Sequence, residues 1–325
     1  MLNRLKIDGF LLALFSTIAI ATVLPAEGTF KSAFGIATDI AIGLLFFLHG
    51  AKLSRQAVYA GILHWRLHLL VLASTYVLFP VLGLGIKAAF GPLLTPTLAM
   101  GVLYLCALPS TVQSSIAFTS IADGNVSAAV CSATASSIIG IFLTPVLVGL
   151  LMQAHGGVSA SSIWSIIEQL LLPFIAGQLL QPWIGNFVSR NKSMLGFVDR
   201  GSILMVVYLA FGEAMVSGLW GRVSLRAIIA MTVIDAVLLF FVLFCTAFAS
   251  KFLGFSKKDQ ITIVFCGSKK SLVSGVPMAN ILFPASMVGG IVLPLMLFHQ
   301  IQLMVCAALA KRYAARSLVS ATPAD

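Results

Sequence analysis

Apolar residues run along this chain in long blocks separated by short polar breaks, and they show no alternation with a period of two. A helix that crosses a membrane needs about 20 mostly apolar residues. Ten blocks approach that length: Phe10–Val23, Phe34–Phe47, His68–Phe90, Thr97–Ser120, Val126–Gln153, Ile163–Ile184, Gly201–Leu219, Ala227–Ala249, Ile261–Phe283 and Met287–Ala310. Continuous blocks predict helices that are apolar all round. They exclude a membrane β-barrel, which would show alternating segments of about ten residues. The first two blocks are short and are expected to extend into their flanks. Arg4 and Lys6 ahead of the first block resemble the start of a secretory signal. Nine more blocks follow, so it is read as the first helix.

Composition supports the pattern. Of 325 residues, 59% are hydrophobic and 9% charged, and mean hydropathy is +1.05. Soluble domains carry roughly 25% charged residues, so neither an ordinary water-facing surface nor a disordered chain can be built here. The apolar residues run from end to end, which also excludes a soluble enzyme on one anchor. The net charge is +10, and its placement decides its meaning. With ten spans both termini share one side. That side receives Arg4, Lys6, Lys52, Arg55, Arg66, Arg190, Lys192, Arg200, Lys251, Lys257, Lys258, Lys311, Arg312 and Arg316; the other receives Lys31, Lys87, Arg222 and Arg226. The positive-inside rule puts the richer side, and both termini, in the cytoplasm. The basic excess is therefore mostly topogenic: the partner is the lipid bilayer, and nucleic acid is not expected. Cys106, Cys131, Cys245, Cys266 and Cys306 lie inside apolar stretches with no C-x-x-C pair, and read as small buried hydrophobes.

The two halves of the chain correspond. Gly140-Ile141-Phe142-Leu143-Thr144-Pro145 resembles Gly290-Ile291-Val292-Leu293-Pro294 at an offset of 150 residues. Blocks four and nine each carry a polar, small-residue patch, Pro109–Ser115 in one and Gly267–Ser271 in the other. Five spans per half is an odd number, so residues 1–153 and 154–325 are expected to run in opposite orientations, as in the inverted repeats of secondary transporters.

The polar chemistry is concentrated in those patches. Pro109 removes a backbone donor and pushes Leu108 away from helix. Ser110, Thr111, Gln113, Ser114, Ser115 and Thr119 follow. Freed backbone groups at membrane depth are tolerated where they line a cavity or are buried in protein; a Ser/Thr packing face between helices is the plainer reading. In the ninth block Lys269 and Lys270 stand beside Ser268 and Ser271, ten residues after Asp259 and thirteen before Phe283. Each lysine at a helix centre costs about 2.5–3.5 kcal/mol, and snorkelling is difficult from so deep. Such residues face a cavity or a partner and are functional by default. Neighbours on a regular helix point about 100° apart. An unwound segment around Gly267–Ser271 is therefore expected, permitted by Gly267, lying against a break near Pro109–Gln113. One lysine should reach the hydroxyls of the fourth block, where a sodium ion could sit, and the other an acid, an anion or a cleft. Asp235, midway along the eighth block and joined to the lysine span by a short connection, is the favoured lysine partner. Asp39 and Glu213 remain open as relay or structural acids. His299, Gln300 and Gln302 form a further polar cluster, in which a lone histidine is more often structural.

No H-E-x-x-H, G-x-S-x-G or GxxxxGK[ST] motif occurs, so neither an enzyme nor a built-in ATP drive is expected. The stretches LLFFLHGAKLS, HWRLHLL, LCALPSTVQSSIAFTSIADGN and VFCGSKKSLVSGVPMANILFP carry a resemblance to the bile acid:sodium symporter family, in an orphan bacterial branch of symporter-like members. It covers Asp8 to about Tyr313. It implies an all-α polytopic fold of ten helices in two inverted five-helix repeats. A panel (8–52 and 162–219) would face a core (68–153 and 227–310), with spans four and nine unwound and crossing in the core. It also implies a bacterial inner-membrane location. Sodium-using members carry a Ser-Asn pair where this chain has Ser114-Ser115. Their ninth-span pattern is like E-V-G-M-Q-N-S, against Phe265-Cys266-Gly267-Ser268-Lys269-Lys270-Ser271 here. Asn125 of the family-like GN turn is kept. Sodium is thus a possible coupling ion, although its usual ligands are largely absent, and no cofactor is expected.

A lysine ammonium is a compact cation with three donors. Here it could stand in for a sodium ion, pass on a proton or attract an anionic substrate. The expected activity is ion-coupled transport of a small organic anion by alternating access, driven by sodium or protons. A sensor or regulator on a transporter scaffold is the rival, and an enzyme with a lysine nucleophile is a more distant one. Oligomeric state has no signal in the chain.

Overall fold

The computed structural model describes residues 9–52, 64–152, 167–216, 218 and 224–321. Every regular element among them is helical: α1 is Gly9–Val23, α2 Gly28–Lys52, α3 Trp65–Ala73, α4 Phe79–Phe90, α5 Pro96–Ala107, α6 Gln113–Ile121, α7 Val126–Met152, α8 Leu172–Arg190, α9 Lys192–Val216, α10 Leu225–Phe252, α11 Lys257–Gly267, α12 Leu272–Leu282 and α13 Ala285–Ala321. One π-helical turn, Ser74–Leu78, joins α3 to α4, and another, Ile167–Leu171, leads into α8. The ten apolar blocks are helical over most of their described residues, with breaks inside blocks four and nine. Six stretches are long and apolar enough to cross a membrane, namely Gly28–Ala51, Trp65–Leu93, Val126–Met152, Leu195–Val216, Leu225–Phe252 and Ala285–Ala315. Large apolar side chains such as Ile36, Ile40, Leu150 and Phe244 lie exposed on these helices, as expected where the solvent is lipid rather than water. Arg4, Lys6, Arg55 and Arg222 of the charge tally lie outside the described residues, as does the 153/154 boundary between halves.

Blocks four and nine are each two half-helices. The chain is unwound at Leu108–Val112 between α5 and α6, and at Ser268–Ser271 between α11 and α12. The first break has a local cause: Leu108 is extended at φ −75°, ψ 156°, as a residue before proline prefers. The second break does not use the backbone freedom of Gly267, which was the expected device. Among the described residues the glycines with positive φ are Gly28, Gly218 and Gly254. Gly267 is the last residue of α11 and serves close approach instead. A Cβ there would stand 3.2 Å from Thr246 Cγ2 and 3.4 Å from Ser74 Cβ.

The chain forms two compact units. One comprises Met1–Lys52, Ala160–Val223 and Val276–Gly290. In it α2 packs on α8 through glycines: a Cβ at Gly50 or Gly177 would strike the carbonyl oxygen of Phe174 or Phe47. Small residues of this kind let membrane helices approach closely. Glu213, one of the two acids left open, pairs with Lys31 in this unit, and Asp39 is exposed on α2. The other unit comprises Leu53–Ser159, Ser224–Gly275 and Ile291–Asp325 and contains both breaks. Tyr104 donates its hydroxyl to the Gly275 carbonyl at 2.6 Å. A Cβ on Gly140 would lie 2.7 Å from Pro109 Cβ and from the Tyr76 hydroxyl, so the glycine of the repeated motif lets α7 reach the first break.

Candidate functional site

An α-helix leaves its last four carbonyls without intrahelical donors, and in a membrane interior each must be satisfied by protein. The site is organised by how the two half-helices α5 and α11 meet this demand.

The end of α11 is capped by hydroxyls. Ser268 Oγ donates to Val264 O at 2.6 Å and Ser115 Oγ to Phe265 O at 3.1 Å. Ser110 Oγ donates to Cys266 O at 2.5 Å and Ser74 Oγ to Gly267 O at 2.7 Å. Four serines thus satisfy four consecutive carbonyls, and two of them come from the hydroxyl run of the fourth block. Thr111 Oγ1 shares hydrogen bonds with Ser114 Oγ (2.7 Å) and Ser115 Oγ (3.0 Å). The expectation that a lysine reaches these hydroxyls is corrected here, because the helix end already engages those of Ser110 and Ser115.

The end of α5 is capped by a cation. Lys270 Nζ donates to Thr75 O at 2.8 Å, Cys106 O at 2.9 Å and Leu108 O at 2.7 Å. All three ammonium hydrogens are used, and the ammonium lies 4.1 Å from the centroid of the Phe79 ring. Local geometry frees each acceptor. In the π turn the Phe79 N–H bonds Ser74 O rather than Thr75 O, and Pro80, one residue on, has no N–H to offer. The Ser110 N–H, which would otherwise return to Cys106 O, goes to Ser136 Oγ at 3.0 Å. A positive charge is favourable at a helix C-terminus because the macrodipole is negative there. Thr144 Oγ1 caps Ala107 O at 2.9 Å.

Gln302 holds the lysine backbone. Its Oε1 accepts from Lys270 N and its Nε2 donates to Lys270 O, both at 2.9 Å. His299 Nδ1 lies 2.8 Å from the same Nε2. The polar cluster of α13 therefore acts on the ninth-span break, with Gln302 as the contacting residue.

Lys269 is placed differently. It is 0% exposed. Its ammonium lies 4.1 Å from the Phe118 ring centroid and 5.3 Å from that of Phe265, and it has no hydrogen-bond acceptor among the described residues. Cation–π attraction gives about 2 kcal/mol or more when desolvated, and it is the contact that stabilises this charge. Asp235 is also 0% exposed, and neither carboxyl oxygen has a hydrogen-bond partner among the described residues. It forms no ion pair with Lys269 or Lys270, which corrects its assignment as a lysine partner. Chain proximity between α10 and α11 was the basis for that assignment, and chain proximity does not set side-chain direction.

The remaining candidates divide. Ser271 Oγ accepts from Ser274 N at 3.2 Å as the N-cap of α12, and the Ser271 N–H donates to Pro109 O at 2.9 Å. Gln113 is exposed and Ser114 half-buried at the start of α6. Asn125 stands apart: its Oδ1 caps α7 through Ala128 N at 3.1 Å and its Nδ2 donates to Asp259 Oδ1 at 2.9 Å. The carbonyl ligands of Lys270 had no side-chain signature; Pro80 was the one local signal that could have pointed to Thr75.

The sequence profile of the SBF-like CPA transporter family matches residues 8–315. The chain is 60% identical over 311 residues to "Uncharacterized protein PA2026" of Pseudomonas aeruginosa, covering 95% of this chain and 93% of that one. It is 56% identical over 309 residues to "Putative symporter YfeH" of Escherichia coli, covering 94% and 93%. A more distant relative is "Sodium/bile acid cotransporter 7-A" of Xenopus laevis, 28% identical over 312 residues, covering 94% and 91%.

Proposed function

The chain belongs to the SBF-like CPA transporter family, and from that premise we propose that it is a secondary active transporter of the bacterial inner membrane that moves a small organic anion by alternating access. The observation that carries this reading is the crossing itself, where two unwound segments are joined by Ser271 N–H to Pro109 O. Discontinuous helices that meet within the membrane are the recurrent substrate and ion site of secondary transporters. The N-termini of α6 and α12 begin beside this crossing at Gln113 and Leu272. Their helix dipoles suit an anionic group.

In this reading Lys270 is a tethered cation that takes the role a mobile ion plays in sodium-coupled relatives. Lys269 supplies a second positive charge near the transported anion. Residues 68–153 and 227–310 rock as a core relative to a panel of 8–52 and 162–219, the halves being inverted repeats, with both termini in the cytoplasm. The drive is a proton gradient, or sodium bound away from the usual family positions.

The test is uptake by purified protein in liposomes, offered a metabolite extract under imposed proton, sodium or no gradient and analysed by mass spectrometry. At least one organic anion should accumulate inside under a gradient and fail to accumulate with the Lys269→Met variant. Binding of an anion with no accumulation under any gradient would make the protein a sensor rather than a carrier.

A further inference from the structure

The oxygens of Thr75, Cys106 and Leu108 converge from the π turn and the α5 end on one point, 2.7 to 2.9 Å from the Lys270 nitrogen. Chain features other than the lysine free at least two of them. Thr75 O is left over by the π turn and Pro80, and Cys106 O by the bond from Ser110 N to Ser136. Leu108 O lies on the extended residue before Pro109. The cradle is therefore largely a property of the fold, and the ammonium is its present occupant. Rings of carbonyls that replace a hydration shell are how proteins hold bare monovalent cations. An ammonium has nearly the size of potassium, the Phe79 face adds cation–π attraction, and the end of α5 adds its negative dipole.

Asp235 is the second, independent observation. It is fully buried, and among the described residues neither of its oxygens has a hydrogen-bond partner. It lies on α10, in the same compact unit as the cradle. Burying a carboxyl group without hydrogen bonds is costly, and the companion it lacks is a single positive charge that is not on a tether.

We propose that the Thr75, Cys106 and Leu108 carbonyls form a monovalent-cation site of potassium size, self-occupied by Lys270 in this state, and that Asp235 is the countercharge for an ion entering from solution when Lys270 withdraws. Lys270 is then an internal competitor for its own site, and its departure is the step that admits the ion. This rests on Lys270 acting as a tethered cation in the transport reading, but the test reads binding. A protein that transports nothing can still show the site, and one lacking the site can still transport.

The test removes the competitor. Lys270→Ala is purified in detergent and melted in potassium, sodium or N-methylglucamine chloride at constant ionic strength. Its melting temperature should rise with the logarithm of potassium concentration, as ligand linkage requires, and potassium should act at lower concentration than sodium. The wild type should melt at one temperature in all three salts. Adding Asp235→Asn to Lys270→Ala should raise the half-stabilising potassium concentration on the order of tenfold or more. Lys270→Gln, which keeps a donor and most of the length, is measured in parallel with the same expected ranking of salts. Equal melting of Lys270→Ala in the three salts overturns the site. If that variant cannot be recovered folded, equal melting of Lys270→Gln overturns it.

Discussion

Ser271 donates its backbone N–H to the Pro109 carbonyl at 2.9 Å, so the two unwound segments pair with each other. A proline cannot donate, but its carbonyl still accepts. The residue that breaks the fourth span thus supplies the acceptor for the ninth. Around this bond the two half-helix ends are finished by opposite means, serine hydroxyls on α11 and an ammonium on α5, which gives adjacent lysines unequal roles.

Lys269→Met and Lys270→Met should therefore differ in stability. Removing Lys270 leaves three buried carbonyls without their donor, each costing about 1–3 kcal/mol. Lys269 has no acceptor to abandon, and replacing a buried charge by an apolar side chain of similar length is often neutral or stabilising. Thermal unfolding in potassium-free buffer should show Lys270→Met clearly below wild type and Lys269→Met at or above it. The reverse order would contradict the placement of the two ammonium groups.

Ser110→Ala and Ser114→Ala separate capping from the remaining hydroxyls. Ser110 satisfies Cys266 O inside the protein, so its loss should destabilise by about 1–3 kcal/mol. Ser114 is half-buried and bonded to Thr111, and its loss should leave the unfolding midpoint nearly unchanged while any effect shows in transport. Equal midpoints for the two variants would show that the hydroxyls do not cap α11.

Sodium should stimulate uptake weakly or not at all. The resemblance implies an acid and amides of sodium-using members where this chain has Phe265, Lys269 and Lys270, and the oxygens of Ser110 and Ser115 are engaged at the α11 end. Initial uptake rates in sodium and choline buffers should be similar. A steep sigmoidal rise with sodium would sink this expectation.

Orientation is tested by labelling. From the positive-inside asymmetry, Lys87→Cys should react with a membrane-impermeant maleimide added to intact cells, and Arg190→Cys only after the membrane is opened. Reaction at position 190 in intact cells would invert the topology.

The sequence by itself determined the helical membrane class, the two polar breaks and the presence of two lysines inside one of them. Each carries a signal that survives without neighbours: continuous apolar blocks, a proline that forces its predecessor out of helix, and charges too costly to leave in lipid. Pro109 and the extended Leu108 that precedes it show this most directly. The tertiary structure decided the partners. Lys270 is held by the carbonyls of Thr75, Cys106 and Leu108, and a carbonyl is the same on every residue, so no side-chain pattern distinguishes those three from any others. Which carbonyls are left unbonded depends on a π turn and on the competing bond to Ser136. Asp235 and Lys269 were legible as costly buried charges. That neither finds the other was decided by the packing, because the direction of a side chain from its helix is set by what surrounds it and not by its distance along the chain.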